Sequence, residues 1–384
     1  MDYDFSKNTD RRNTGSLKWD VGENELPMWV ADMDFETAPC VKNAVKEVAE
    51  SGIYGYGVVS SEFFESVSSW WERRHHVKFS TEWMIFSTGV VAAISSMVRK
   101  LTTPGENVLI QAPVYNIFYN SIKNNGVNVV SNDLIYEQGQ YRIDFEDLER
   151  KLADPQTTLM ILCNPHNPVG KIFSKEELAA IGALCARYRV ICISDEIHCD
   201  IVRPGKSYVP FASASPLCRE VSITCVAASK AFNLAGLQSA CVIVPDPFLR
   251  HKVSRGLNTD EVAEPNIFAM RANIAAFSEG EAWLNDLNLY LEGNRATVKK
   301  YLEEKLPRLR LVESEATYLL WIDISSYSSD SVAFCAELRK RTGLYLSDGA
   351  AYGSPGLKFV RMNIATSRSR IEDGLERLNR FLNG

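Results

Sequence analysis

The chain is 384 residues long, 46% hydrophobic and 23% charged, the composition of an ordinary globular protein. Its net charge of −6 offers no basic field to attract nucleic-acid phosphates. Asp2, Tyr3 and Asp4 follow Met1 in place of a basic leader, and no apolar run of about 18 residues exists to span a bilayer, which predicts a cytoplasmic protein.

In chain order, the first forty-odd residues are irregular. They carry the run from Leu26 to Phe35, which is expected to lie against a C-terminal unit. The short basic stretches Arg73–His76 and Arg308–Arg310 are flanked by acids and read as solvated helix faces. Ser87-Thr88-Gly89-Val90-Val91 leads into a helical pattern from Ala92 to Lys100. The runs Asn107–Gln111, Thr158–Leu162, Val190–Ser194 and Val221–Val226 are short, apolar and bounded by turn residues, as buried parallel strands are. Between them, Ser174 is the expected N-cap of a helix reaching Tyr188, with Glu177 as its capping-box partner. A long amphipathic helix is expected from Glu281 to Leu306, stopped by Pro307. Strands at Tyr318–Asp323 and Lys358–Asn363 and a helix from Ser369 to Leu382 complete the chain.

This alternation predicts an α/β fold, a mostly parallel sheet between helices with a smaller α+β domain. The expected large domain covers residues 46–282. The smaller one combines residues 1–45 with 283–384. Nine cysteines are too sparse for a disulfide scaffold and lack the short spacings of zinc sites, so buried inert thiols are expected.

Lys230 lies in Ala228-Ser229-Lys230-Ala231-Phe232-Asn233, among small and hydroxyl residues just past an apolar strand. An amine so placed can form an imine with pyridoxal phosphate, release it and then serve as a base. That cofactor also needs an anion beside its ring nitrogen. Asp195 ends an apolar strand thirty-five residues before Lys230, where open α/β sheets gather ligands, although a helix-capping role would also suit it. Asn167, in the turn Asn167-Pro168-Val169-Gly170, is the expected donor to the phenolic oxygen, with Asn164 as an alternative. A phosphate cradle is expected from Gly89, Val90 and Val91 at a helix N-terminus, with Ser229 adding a hydroxyl. Tyr115 follows a strand and is placed either to stack on the ring and assist the leaving group, or to serve the core. Arg361 sits within an apolar strand, where it either grips a substrate carboxylate or forms a buried salt bridge.

These motifs resemble the fold-type I pyridoxal-phosphate enzymes of the aspartate aminotransferase superfamily. They look most like the MalY/PatB group of cystathionine and cysteine β-lyases. The likeness includes Trp29-Val30-Ala31-Asp32-Met33-Asp34-Phe35, Ser194-Asp195-Glu196-Ile197-His198, Ser229-Lys230-Ala231-Phe232-Asn233 and Phe359-Val360-Arg361-Met362-Asn363. It implies a homodimer in which Tyr56 reaches the other subunit's cofactor phosphate and substrate. It also places His198 at the phenolic oxygen. Four departures stand out: Ala227 for a phosphate-binding serine, Gln238 for an arginine, His198 for a tyrosine, and Ile364–Arg368 for an ending in Cys-Pro-Arg. The expected activity is cleavage of L-cystathionine or a related S-conjugate to thiol, pyruvate and ammonia. An aminotransferase of an L-amino acid and a cofactor-binding regulatory protein are the competing readings. Metal hydrolysis through Asp195, Glu196, His198 and Asp200 is disfavoured because it leaves Lys230 and Arg361 unused.

Overall fold

A computed structural model describes residues 3–384. Its central sheet is built from β1 (Met84–Ser87), β2 (Asn107–Ile110), β3 (Asn128–Ser131), β4 (Thr157–Cys163), β5 (Ile191–Asp195), β6 (Ser222–Val226) and β7 (Ala240–Ile243). The spatial order is β1-β7-β6-β5-β4-β2-β3, with only β7 antiparallel to its neighbours. The expected mostly parallel α/β sheet is therefore present, and the four strands read from sequence begin and end within one residue of their observed bounds. Strands β4, β5 and β6 are almost wholly buried, as helices on both faces require.

The helix Lys175–Tyr188 shows why its start was legible. The Glu177 amide donates to Ser174 Oγ at 3.1 Å, and the Ser174 amide donates to Glu177 Oε2 at 2.8 Å. The long helix Glu281–Lys305 ends just before Pro307 and leads into a second, antiparallel sheet. That sheet orders Arg310–Leu311, Leu319–Asp323, Phe359–Asn363 and Ser347–Asp348. The final helix, Arg368–Asn383, packs its Ile371, Leu375 and Leu378 into the core.

The N-terminal run does lie against this unit. Leu26–Pro27 pairs in parallel with Leu344–Tyr345, and the Asp34 amide donates to the Ala365 carbonyl at 2.9 Å. The helix Pro39–Ser51 runs straight through the expected domain boundary at residues 45 and 46. Among the described residues no helix is long and apolar enough to cross a membrane. All nine cysteines are free thiols, and all but the half-buried Cys40 are buried.

The solvated reading of Arg73–His76 is corrected in part. Arg74 and His75 turn inward to the buried Asp200, at 3.5 and 3.0 Å, because helix Ser61–His75 ends against the core. Arg73 stays half-exposed and His76 exposed, as expected.

The turn that carries Asn167 depends on Gly170. Its φ is +73°, and a Cβ there would lie 2.5 Å from Ser314 Cβ and 2.8 Å from the Ala316 carbonyl oxygen. Gly205 also has a positive φ, but its surroundings are open. Gly170→Ala should therefore cost about 2–4 kcal/mol in urea unfolding, combining backbone strain with overpacking. Gly205→Ala should cost only about 1 kcal/mol, from the backbone alone. Equal losses in the two variants would refute the steric argument.

Candidate active site

Parallel strands deliver their C-terminal ends to one edge of the sheet, and the candidate residues collect there. Tyr115 follows β2, Asn167 follows β4, Asp195 closes β5 and Lys230 follows β6. They line one cavity of about 300 Å³ together with Gly89, Val90, Val91, His198 and Ser229. Arg361 approaches from the second sheet, and its Nη1 donates to Asn167 Oδ1 at 3.1 Å. Tyr56 is not brought to this cavity within one chain. It is fully exposed on a loop with Ile53 and Val58, which are also bare.

Each side chain is held by local structure. Phe232 stacks on Trp283 at a centroid distance of 5.7 Å, and Ala231 is buried, so the lysine loop is anchored on its far side. Asn233, at φ +57°, donates to the Met33 and Phe35 carbonyls at 3.0 Å. Lys230 Nζ donates to the Ala31 carbonyl at 2.7 Å. Burial and the Arg361 charge lower its pKa to about 8, against the opposing pull of Asp32 and Asp195.

Asp195 is pushed up to about 6 by burial, although the Ile197 amide and the Lys230 charge favour its ionised form. His198 is held down to about 3 by burial, Lys230 and Arg361, so its ring is neutral. Its Nδ1 is buried and has no hydrogen-bond partner among the described residues. Tyr115 is pushed up to about 12, chiefly by burial, and stays a phenol.

Arg361 is buried, yet among the described residues it has no carboxylate within ion-pair distance. Its guanidinium uses neutral groups, Asn167 Oδ1 and the Trp29 carbonyl at 2.7 Å, and lies over the Tyr352 ring. Of the two readings offered by the sequence, the buried salt bridge is the one the geometry contradicts.

The cavity suits pyridoxal phosphate on several independent grounds. Gly89 precedes the helix Val90–Leu101, whose start has no side-chain cap and faces the cavity. A Cβ at Gly89 would meet nothing within 4 Å, so there is open space above those amides. A lysine, a carboxylate at a strand end and an unpartnered imidazole nitrogen converge on the same space. Among the described lining residues Lys230 is the only cation, and the polar group at Gln238 is neutral.

Sequence reasoning missed the backbone of Ala31 and Trp29. Its signal was the pairing of Lys18 and Arg11 with Asp32 and Asp34. Lys18 is buried and reaches Asp34 Oδ1 at 3.1 Å, while Arg11 reaches Asp32 Oδ2 at 2.9 Å. The four groups weighed for metal hydrolysis do not gather. Glu196 binds Tyr208, Ser194 and the Phe211 amide, and Asp200 faces Trp70 and Arg74.

Residues 23–378 match aminotransferase class I and II. The chain belongs to this family. It is 41% identical to cystathionine beta-lyase PatB of Bacillus subtilis, covering 98% of this chain and 99% of that protein. It is 31% identical to protein MalY of Escherichia coli, covering 97% of each. Cystalysin from Treponema denticola, solved with pyridoxal 5'-phosphate, superposes with a TM-score of 0.96 at 32% identity, covering 100% of this chain and 99% of that one. The PLP-bound C-S lyase from Staphylococcus hominis does so at 0.94 and 34%, with the same coverage. The fold-type I resemblance read from the motifs is thereby borne out.

The carboxyl of Asp195 sets a pH dependence. Its folded pKa of about 6 lies above the ordinary 3.8, so its contribution to ligand-free stability is full below the ordinary value and lost as pH rises through 6. Asp195→Asn should leave urea stability of the ligand-free protein nearly unchanged at about pH 4 and raise it by about 3 kcal/mol at about pH 8. A variant less stable than the parent at the higher pH would contradict the raised carboxyl.

Proposed function

We propose that this family member is a pyridoxal 5'-phosphate-dependent carbon–sulfur β-lyase acting on L-cystathionine or related S-conjugates of cysteine. The observation that carries the reading is the buried, carboxylate-free Arg361 beside a lysine-bearing cavity, supported by the β-lyase identities of PatB and by the PLP-bound neighbours. Lys230 would hold the cofactor, Asp195 would keep its ring nitrogen protonated, Asn167 and His198 would serve its phenolic oxygen, and Gly89, Val90, Val91 and Ser229 would take its phosphate. When bound, the cofactor supplies an electron sink for charge left at the substrate Cα.

The chain's own residues do the rest. Arg361 grips the substrate carboxylate through its planar fork, and Trp29 and Asn167 hold that fork in place. As a free amine Lys230 would take the substrate's Cα proton, and its depressed pKa of about 8 puts the free base within reach near neutral pH. The thiolate then leaves from Cβ, and hydrolysis gives pyruvate and ammonia. Tyr115 packs beside the reacting atoms as a neutral phenol.

The protein acts as a cytoplasmic homodimer. The exposed Ile53, Tyr56 and Val58 support this, since an apolar loop so bare is suited to cover by a second copy. Tyr56 of that copy completes the phosphate end, where the chain supplies no arginine. Residues 46–282 form the cofactor domain, and residues 1–45 with 283–384 form the domain that closes over it.

Holoprotein supplied with L-cystathionine and no keto acid should release pyruvate and thiol in equal amounts over many turnovers. A single turnover that resumes only when a keto acid is added would identify an aminotransferase instead. Lys230→Ala should abolish release. Arg361→Lys, which keeps the charge but loses the fork, should raise KM at least about tenfold with a smaller effect on kcat.

A further inference from the structure

On the far side of the turn that carries Asp195 and His198, a second cavity of about 440 Å³ opens between the end of helix Ser61–His75, residues 199–208 and helix Glu281–Lys305. His75, Cys199 and Asp200 all line it. Among the described residues they are the one group of three whose donor atoms, one nitrogen, one sulfur and one carboxylate oxygen, fall within 4.8 Å of one another. We propose that His75, Cys199 and Asp200 form a binding site for a borderline divalent cation, Zn²⁺ above all, separate from the cofactor cavity.

The spacing suits the ion. Bonds of about 2.0–2.3 Å to nitrogen, oxygen and sulfur give tetrahedral edges of about 3.3–3.7 Å. His75 Nε2 and Asp200 Oδ1 stand 3.0 Å apart and Cys199 Sγ lies within 4.8 Å of both, so an ion entering among them needs shifts of about an ångström. The donor set of imidazole, thiolate and carboxylate favours zinc over magnesium or calcium, which prefer oxygen alone. The fourth position faces the cavity and leaves room for water or a small ligand.

Supporting groups are present around the ligands. Trp70 Nε1 donates to both Asp200 oxygens, Oδ1 at 3.1 Å and Oδ2 at 3.0 Å, and fixes the carboxylate plane. Arg74, whose charge opposes a cation here, has other partners to retain it: Nη1 donates to Asn285 Oδ1 at 2.9 Å and to Glu281 Oε1 at 3.2 Å. Among the described residues the Cys199 thiol has only its own backbone amide as a hydrogen-bonding neighbour, so no side-chain partner is lost. On binding, three metal–ligand bonds form, the thiol proton leaves to solvent, and His75 ligates through Nε2 with its own proton on Nδ1.

Dialysed holoprotein should take up one Zn²⁺ per chain, measured by elemental analysis after gel filtration and by competition with a chromophoric chelator. Its zinc absorption-edge fine structure should show one sulfur scatterer at about 2.3 Å. Cys199→Ser should remove that scatterer, and Cys199→Ser and His75→Gln should each weaken binding at least about tenfold. Cys335→Ser, a buried thiol far along the chain, should change neither. Substoichiometric uptake by the parent protein, a sulfur shell that survives in Cys199→Ser, or unchanged affinity in His75→Gln would overturn the site.

Discussion

The carbonyl of Ala31 accepts Lys230 Nζ at 2.7 Å and the Tyr318 hydroxyl at 3.1 Å, while the Trp29 carbonyl accepts Arg361 Nη2 at 2.7 Å. These bonds matter because Lys230 and Arg361 are two cations in one poorly solvated space, each making the other costlier to charge. Peptide carbonyls answer them with partial negative charge and add no carboxylate to compete for Arg361. The strap that carries those carbonyls has almost no regular structure, so it must be held from behind. Asn363 Nδ2 donates to Val30 and Asp32 carbonyls, Asn233 holds Met33 and Phe35, and Arg11 and Lys18 clamp Asp32 and Asp34. Lys18 is buried. An ammonium there is tolerable only because two carboxylates face it, and deleting either would leave a charge uncompensated.

The site is a product of two sheets. The parallel sheet brings Tyr115, Asn167, Asp195 and Lys230 to one edge, but it offers no cation for a carboxylate. Arg361 comes from the antiparallel sheet, where Trp321 lies opposite it in register. The hydrogen bond from Arg361 to Asn167 is the point at which the two meet. Any shift of one sheet against the other would therefore be felt at both Asn167 and Arg361.

Much of this was legible in the sequence because it rests on local rules. Buried parallel strands read as short apolar runs, a capping box marks its own helix, and a lysine among small residues after a strand has few structural uses. What escaped was non-local or weakly patterned. Strand β3 lies at the sheet edge, half-exposed and opening on Asn128, so no apolar run marks it. The strap binds through backbone groups, which every residue carries, and its side chains announce only the ion pairs behind it. Arg74 and His75 looked like a solvated run because sequence shows neighbours along the chain. Their true counter-ion, Asp200, is far away in sequence. The exposure of Tyr56 is equally non-local, since it depends on what the rest of the chain brings to that loop.

The run from Asp195 to Asp200 shows how one short turn separates incompatible electrostatics. Asp195 and His198 face the cofactor cavity, while Glu196 and Asp200 point away from it. Burial pushes Glu196 up to about 7, and its oxygens are used by Tyr208, Ser194 and the Phe211 amide. Asp200 is instead held below the usual carboxylate range, with His75, Arg74 and Trp70 overcoming its burial. Three carboxyls within six residues are thus given three different environments by their partners. Only Asp195 is left with an open face and a single backbone donor, which is what a carboxylate must have if it is to serve a ligand rather than the fold.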